Sequence, residues 1–367
     1  MAQRPVAPIP FDPAYETQLD DEPAINAKLT EQMLGLSRTV LADTGHVRRS
    51  VHAKGHGLLQ GKMRVHDNLA REHAQGMFAR PAEYPVVLRL STTPGDMLDD
   101  KISTPRGLGL KIIGVEGERL PDSEYDVTQN FVLGNSPAFN VRNSRQFVGN
   151  VRHLGSMTNR SETVKRAISA VSQTTEAILE TVGIHSATLT TYAGQARTHI
   201  LGDTFYSQAP VLYGDYAAKV CVAPVSDNLR ALSEAPIELA GTRDGLREAV
   251  RAFFAREGGT WEFRVQLWTD PDAMPIEDAS VQWPEDKSPY MAVATITVGA
   301  QDSWSESKVA AIDEGLTFSP WRGLAAHRPL GSVMRARRLA YESSARLRSE
   351  VTGRPVTEPR SAADLPG

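Results

Sequence analysis

The sequence predicts an α+β fold with a largely antiparallel sheet. Two observations carry that prediction. Short β-branched runs bounded by Gly, Pro and Asp recur, as in Pro85–Ser91, Leu108–Val115 and Asn130–Gly134. These runs cluster around helical inserts, in place of the regular strand–helix alternation of a parallel sheet.

Residues 1–24 are rich in proline and acid and read as an extended arm. A helix is predicted over 25–46, where Ile25, Leu29, Met33, Leu34 and Leu36 recur at near-helical spacing. From His52 to about Phe139 the pattern turns to strands. A helical insert is expected over Ser161–Gly183, with Val164, Ile168, Val171, Ile178, Leu179 and Val182 as one apolar stripe. Strands return at Ala218–Val225, Trp261–Trp268 and Met291–Val298. Between the first two, Asp244–Glu257 is amphipathic through Leu246, Val250 and Phe253, and Gly258-Gly259 stops it. The stretch from Leu330 to Glu350 is helical and strongly basic. Residues 351–367 are polar and proline-broken, so a disordered tail is expected behind a domain spanning 25–350.

Composition removes several function classes. Forty basic against 44 acidic residues give a net charge of −4, so no global field draws the chain to nucleic acid or anionic lipid. No apolar run approaches the roughly 18 residues of a membrane span, and the proline-broken start lacks the apolar core of a secretion leader. The single cysteine, Cys221, excludes an internal disulfide and reads as a small hydrophobe within a strand. A cytoplasmic location is the expectation.

Candidate chemistry begins in the last helix. Arg337 stands four residues before Tyr341 and shares its face, so its guanidinium can stabilise an anionic phenol oxygen whose ordinary pKa is about 10. Arg348 returns to that face two turns later. Taken alone, this spacing is also that of a basic surface helix. His52 is the acid–base candidate, because an imidazole titrates at about 6.5. His46, His56, His66, His73, His153, His185, His199 and His327 read as structural. Ser91, two residues past Arg89 on a strand, can orient the His52 ring. Asn135 offers a carboxamide that donates without competing for a proton, although Gly134-Asn-Ser-Pro137 is also good turn chemistry.

Read in order, the segments Arg49-Ser-Val-His-Ala-Lys-Gly55, Arg89-Leu-Ser-Thr92, Ser103-Thr-Pro-Arg-Gly-Leu-Gly-Leu-Lys-Ile112, Phe131-Val-Leu-Gly-Asn-Ser-Pro-Ala-Phe139, Phe263-Arg-Val-Gln-Leu-Trp268, Leu316-Thr-Phe-Ser-Pro320 and Met334-Arg-Ala-Arg-Arg-Leu-Ala-Tyr341 resemble the haem-dependent catalase family. The resemblance spans about His46 to Arg348 and is nearest to the small catalase-related haem peroxidases that lack the C-terminal domain. It implies a catalase-like antiparallel β-barrel with surrounding helices, enclosing haem b. By that resemblance Tyr341 ligates the iron, supported by Arg337, while His52, Asn135 and Ser91 act on peroxide. Arg49, Arg89 and Arg348 would neutralise the propionates, and Val51, Phe139, Phe147, Phe318 and Met334 would border the haem.

Two departures stand out. Glu342 occupies a position where the family usually has proline, and Trp321 interrupts the segment after Phe318-Ser-Pro. The short stretch after Tyr341 suggests an open haem, favouring peroxidase turnover of hydrogen peroxide and organic hydroperoxides with an organic reductant. Two alternatives remain: a fatty-acid hydroperoxide isomerase or lyase, and a non-catalytic haem-binding protein. In the isomerase branch a hydroxyl residue precedes the histidine, whereas here the neighbour is Val51. A homo-oligomer is the default expectation for such a fold.

Overall fold

Nine strands form one antiparallel sheet in the computed structural model, which describes residues 6–95, 97–158, 197–239 and 241–366. The strands are β1 (Lys54–Val65), β2 (Glu83–Thr92), β3 (Arg106–Ile113), β4 (Thr128–Gly134), β5 (Phe205–Tyr206), β6 (Val211–Tyr213), β7 (Tyr216–Pro224), β8 (Gly259–Leu267) and β9 (Met291–Val298). Neighbours run β4-β3-β2-β1-β9-β8-β7, and the short β5 joins β4 to β7. Eight strands therefore close into a barrel, which leaves no edge, with β6 appended as a hairpin on β7.

Strand periodicity decides which residues fill the barrel. On β2, Val86, Leu88 and Leu90 join Leu108 and Leu110 of β3, Phe131 and Leu133 of β4, and Phe263 of β8 in the main core. The intervening residues Val87, Arg89 and Ser91 fall on the outer face. Pairing aligns Ser91 with Gly107, Arg89 with Gly109, and Gly109 with Val132, so one outer patch collects a serine, an arginine and a wall of small side chains.

Three helices cover that patch, α1 (Glu22–Thr44), α2 (Ser144–Thr158) and α4 (Ser332–Thr352), while α3 (Gly245–Phe254) packs into the main core. The helix predicted from residue 25 begins three residues earlier, with Pro23 in its first turn, where a missing N–H costs nothing. Ile25, Leu29 and Met33 of α1 pack on Val148 and Val151 of α2 and on Ala336 and Ala340 of α4. A π-helical turn at Val309–Glu314 and the following strap to Phe318 complete the cover. The helix expected over 161–183 lies outside the described residues.

Residues 351–367 read from sequence as a disordered tail, yet residues 354–366 run along the barrel. Glu358 pairs with the fully buried Lys111 and accepts from Thr128 Oγ1 at 2.9 Å and Thr317 Oγ1 at 3.0 Å, while Pro366 O accepts from Gln60 Nε2 at 2.6 Å. An interior ammonium needs a counter-charge, and the tail brings it. No helix among the described residues is long and apolar enough to cross a membrane.

Candidate active site

A cavity of about 80 Å³ lies between the outer face of β2–β4 and helix α4. His52, Ser91, Gly107 and Val132 line its barrel side; Ala340, Tyr341 and Ser344 line its helix side; Arg49, Arg89 and Arg348 sit at its charged edge.

His52 sits just before β1 with φ 52°, a left-handed backbone that a histidine adopts only when its surroundings impose it. Arg89 imposes it, donating to His52 O at 3.0 Å and to Ala53 O at 3.2 Å. The ring lies against Gly107, where a Cβ would come within 2.6 Å of Cε1, so only glycine leaves room for it. Nδ1 faces Ser91 Oγ at 3.3 Å, and Ser91 Oγ in turn reaches Gly107 O at 3.4 Å. With the serine proton directed to that carbonyl, Oγ accepts from Nδ1–H, and Nε2 keeps its lone pair. Burial first, then the Arg89 and Arg337 guanidiniums, push the His52 pKa down to about 3. The imidazole is therefore neutral, with its lone pair on Nε2.

Across the cavity the i, i+4 spacing on α4 does what the sequence predicts. Arg337 donates to Tyr341 Oη at 2.6 Å, and its guanidinium carbon lies 5.1 Å from the tyrosine ring centroid. A cationic donor thus fixes the position of the phenol oxygen in the cavity wall.

The charged edge is unbalanced. Asp313, on the π-helical turn, accepts from Arg89 at 2.7 Å and Arg49 at 2.9 Å, and these pairs hold its carboxyl at about 2 despite burial. Arg49 also donates to Leu316 O at 3.0 Å; Arg348 donates to Glu314 O at 2.7 Å and Leu316 O at 3.2 Å. Three guanidiniums thus share one buried carboxylate. Arg348 Nε is buried with no hydrogen-bond partner, and burial pushes that guanidinium down to about 10. Burial and the neighbouring Arg89 and Arg348 likewise lower Arg49. Glu314 acts on Arg348 as well, from a half-exposed position, so the edge keeps a net positive charge and an orphaned donor, which fit a carboxylate-bearing ligand. A haem b would suit these residues, with Arg49 and Arg348 at its carboxylates and Tyr341 as a donor to its iron.

Other predicted site residues fall elsewhere. Asn135 does not line the cavity: it closes the turn after β4, where Oδ1 accepts from Arg106 N–H at 3.0 Å and Nδ2 approaches Asp203 at 3.5 Å. Both contacts are long-range, so the carboxamide ties the end of β4 to β3 and to Asp203. Phe139 and Phe147 stack edge to face on each other at 5.1 Å, against Val333 and Met334, behind the cavity wall. Phe318 and Val51 line the cavity as expected, and Arg89 is committed to His52, Ala53 and Asp313.

Sequence reading missed Asp313. Its only signal was the excess of arginines needing a buried partner, since its own contacts reach Arg49 and Arg89 across 264 and 224 residues.

No family model matches the chain, and no curated protein matches it either. Solved structures do. A fungal catalase superposes with a TM-score of 0.59 at 16% identity over 100% of this chain and 69% of that one. Catalase A from Saccharomyces cerevisiae gives 0.59 at 16% identity, covering 100% and 72%. A bacterial catalase gives 0.55 at 15%, covering 98% and 68%. At such identities the likeness speaks for architecture alone: the chain has the fold seen in these catalases, a closed eight-stranded antiparallel barrel with helices around it.

Proposed function

We propose that the cavity binds haem b and that the protein cleaves peroxides, using an organic reductant. The observation that carries this reading is the meeting, in one cavity, of a neutral His52 with a free Nε2 and a Tyr341 phenol held by a guanidinium. Tyr341 would hold the iron, Arg49 and Arg348 the propionates, and Val51, Val132 and Phe318 the ring faces. Bound haem would supply the redox-active iron on which peroxide oxygen is reduced.

The chain's own residues supply the proton chemistry. His52 Nε2 takes the proton from the incoming peroxide, and the imidazolium returns it to the departing oxygen as water forms. Ser91 fixes the tautomer, Gly107 the ring position, and Arg89 the strained peptide that aims the ring. Arg89 also disfavours a resting imidazolium, so the histidine starts each turnover as a base.

The test is stopped-flow mixing of haem-reconstituted protein with hydrogen peroxide and then an organic hydroperoxide. His52→Ala should retain haem and lose roughly 10²- to 10⁴-fold in the rate of peroxide cleavage. Wild-type rates in that variant would remove His52 from the reaction. The faster of the two peroxides identifies the preferred substrate.

A further inference from the structure

Helix α1 ends at Gly45, whose φ of 71° turns the chain sharply into His46-Val-Arg-Arg49. Behind this turn lies a second cavity of about 150 Å³, distinct from the first but touching it. Arg49 and Arg348 line both, so their guanidiniums form the partition between them.

The second cavity is cationic with an apolar flank. Arg48 is half-buried in its wall, and no ion pair or hydrogen bond engages its side chain among the described residues; only its carbonyl is used, by Ser37 at 3.3 Å. The acids in the wall are already engaged. Asp313 serves Arg49 and Arg89, and Glu314 faces Arg354 at 3.8 Å. Val47 and Val351 supply apolar surface beside the free guanidinium. A free cation next to apolar surface suits a small aromatic carboxylate, which satisfies the charge and buries its ring together.

We propose that this second cavity binds a phenolic carboxylate as the electron donor of the peroxide reaction, with Arg48 as its anchor. The donor class rests on the function proposed above. The balance is one hydrogen peroxide and two phenols giving two waters and two phenoxyl radicals: each phenol O–H breaks, yielding one electron and one proton, and the O–O bond is reduced. A donor held there lies against the arginine partition without entering the cavity that peroxide needs. Peroxide and donor then have separate approaches, one past His52 and the other past Arg48.

The test uses haem-loaded protein and 4-hydroxybenzoate, with phenol as the neutral control. Calorimetry should show the carboxylate binding roughly tenfold or more tightly than phenol, and Arg48→Ala should erase the difference. In steady state, Arg48→Ala should raise KM for 4-hydroxybenzoate with kcat retained, while peroxide consumption without donor is unchanged. Equal binding of phenol and 4-hydroxybenzoate, or an unaffected Arg48→Ala, would overturn the proposal. Oxidation of the donor without Arg48 dependence overturns this site and leaves the peroxide reading standing. Arg48-dependent binding with no oxidation overturns the donor role, and stopped-flow peroxide cleavage decides separately whether the peroxide reading stands.

Discussion

Two buried charged clusters flank the first turns of β1, and they differ in arithmetic. Around Lys54, the ammonium meets Asp100 at 2.6 Å and Asp244 at 3.0 Å, and Arg247 adds a second cation to Asp244 at 3.2 Å. Lys54 also donates to Leu98 O and Arg243 O, both at 2.6 Å. Two cations meet two carboxylates, and the neighbouring His56 is kept neutral by burial and by Lys54. Around Arg49, Arg89 and Arg348 the one buried carboxylate among the described residues is Asp313, and Glu314 acts on Arg348 from a half-exposed position. A balanced cluster holds the fold together. An unbalanced one facing a cavity is a standing affinity for an anion.

The largest effect should come from breaking the balanced cluster. Lys54→Met strands Asp100 in the interior and should cost about 3–5 kcal/mol in urea unfolding, with haem affinity barely changed. Arg348→Met should invert that pattern. It removes a cation from a cluster with too many, so the cofactor-free protein should shift by no more than about 1 kcal/mol, while haem affinity falls roughly tenfold. Haem titration and urea unfolding on both variants read the contrast directly. Equal profiles would dissolve it.

Acid should act next. His52 at about 3 and His199 and His327 at about 4 lie below the ordinary 6.5, so the unfolded chain binds protons that the folded chain refuses. Stability should therefore be flat above about 6.5 and decline as pH falls toward 4, and the decline should be shallower in His52→Ala. Asp313, depressed to about 2, adds stability that is lost as pH falls from about 3.8 through 2. Denaturant midpoints across pH measure both, and a wild-type slope in His52→Ala would argue against a buried neutral histidine.

The smallest effect separates neighbours on one strand. Ser91 bonds His52 at 3.3 Å, and Thr92, on the opposite side of the strand, bonds His56 at 2.9 Å. Ser91→Ala should slow peroxide cleavage by roughly fivefold, about 1 kcal/mol, with little change in stability. Thr92→Val should lower stability by a similar energy and leave the rate alone.

These contrasts show what a sequence can reveal here. Local relations were legible: Arg337 and Tyr341 share a helix face, Ser91 and Arg89 share a strand face, and β9 runs over the predicted residues 291–298. β1 was not resolved as one strand, because Gly55, Gly57 and Gly61 dilute its β signal. Gly61 is required by packing, since a Cβ there would lie 2.4 Å from Thr297 O on β9. Asp313 was invisible because its partners are distant in sequence. The partners of Asn135 were equally hidden, because Arg106 and Asp203 are 29 and 68 residues away.

The central claim is that the cavity between β2–β4 and α4 holds haem through Tyr341. Titration of ferric haem into the cofactor-free protein, followed by absorption spectroscopy, tests it most directly against Tyr341→Phe. The account predicts one haem per chain with a tyrosinate spectrum, and weaker binding or an altered spectrum in the variant. Absence of binding, or an unchanged spectrum in Tyr341→Phe, would contradict it.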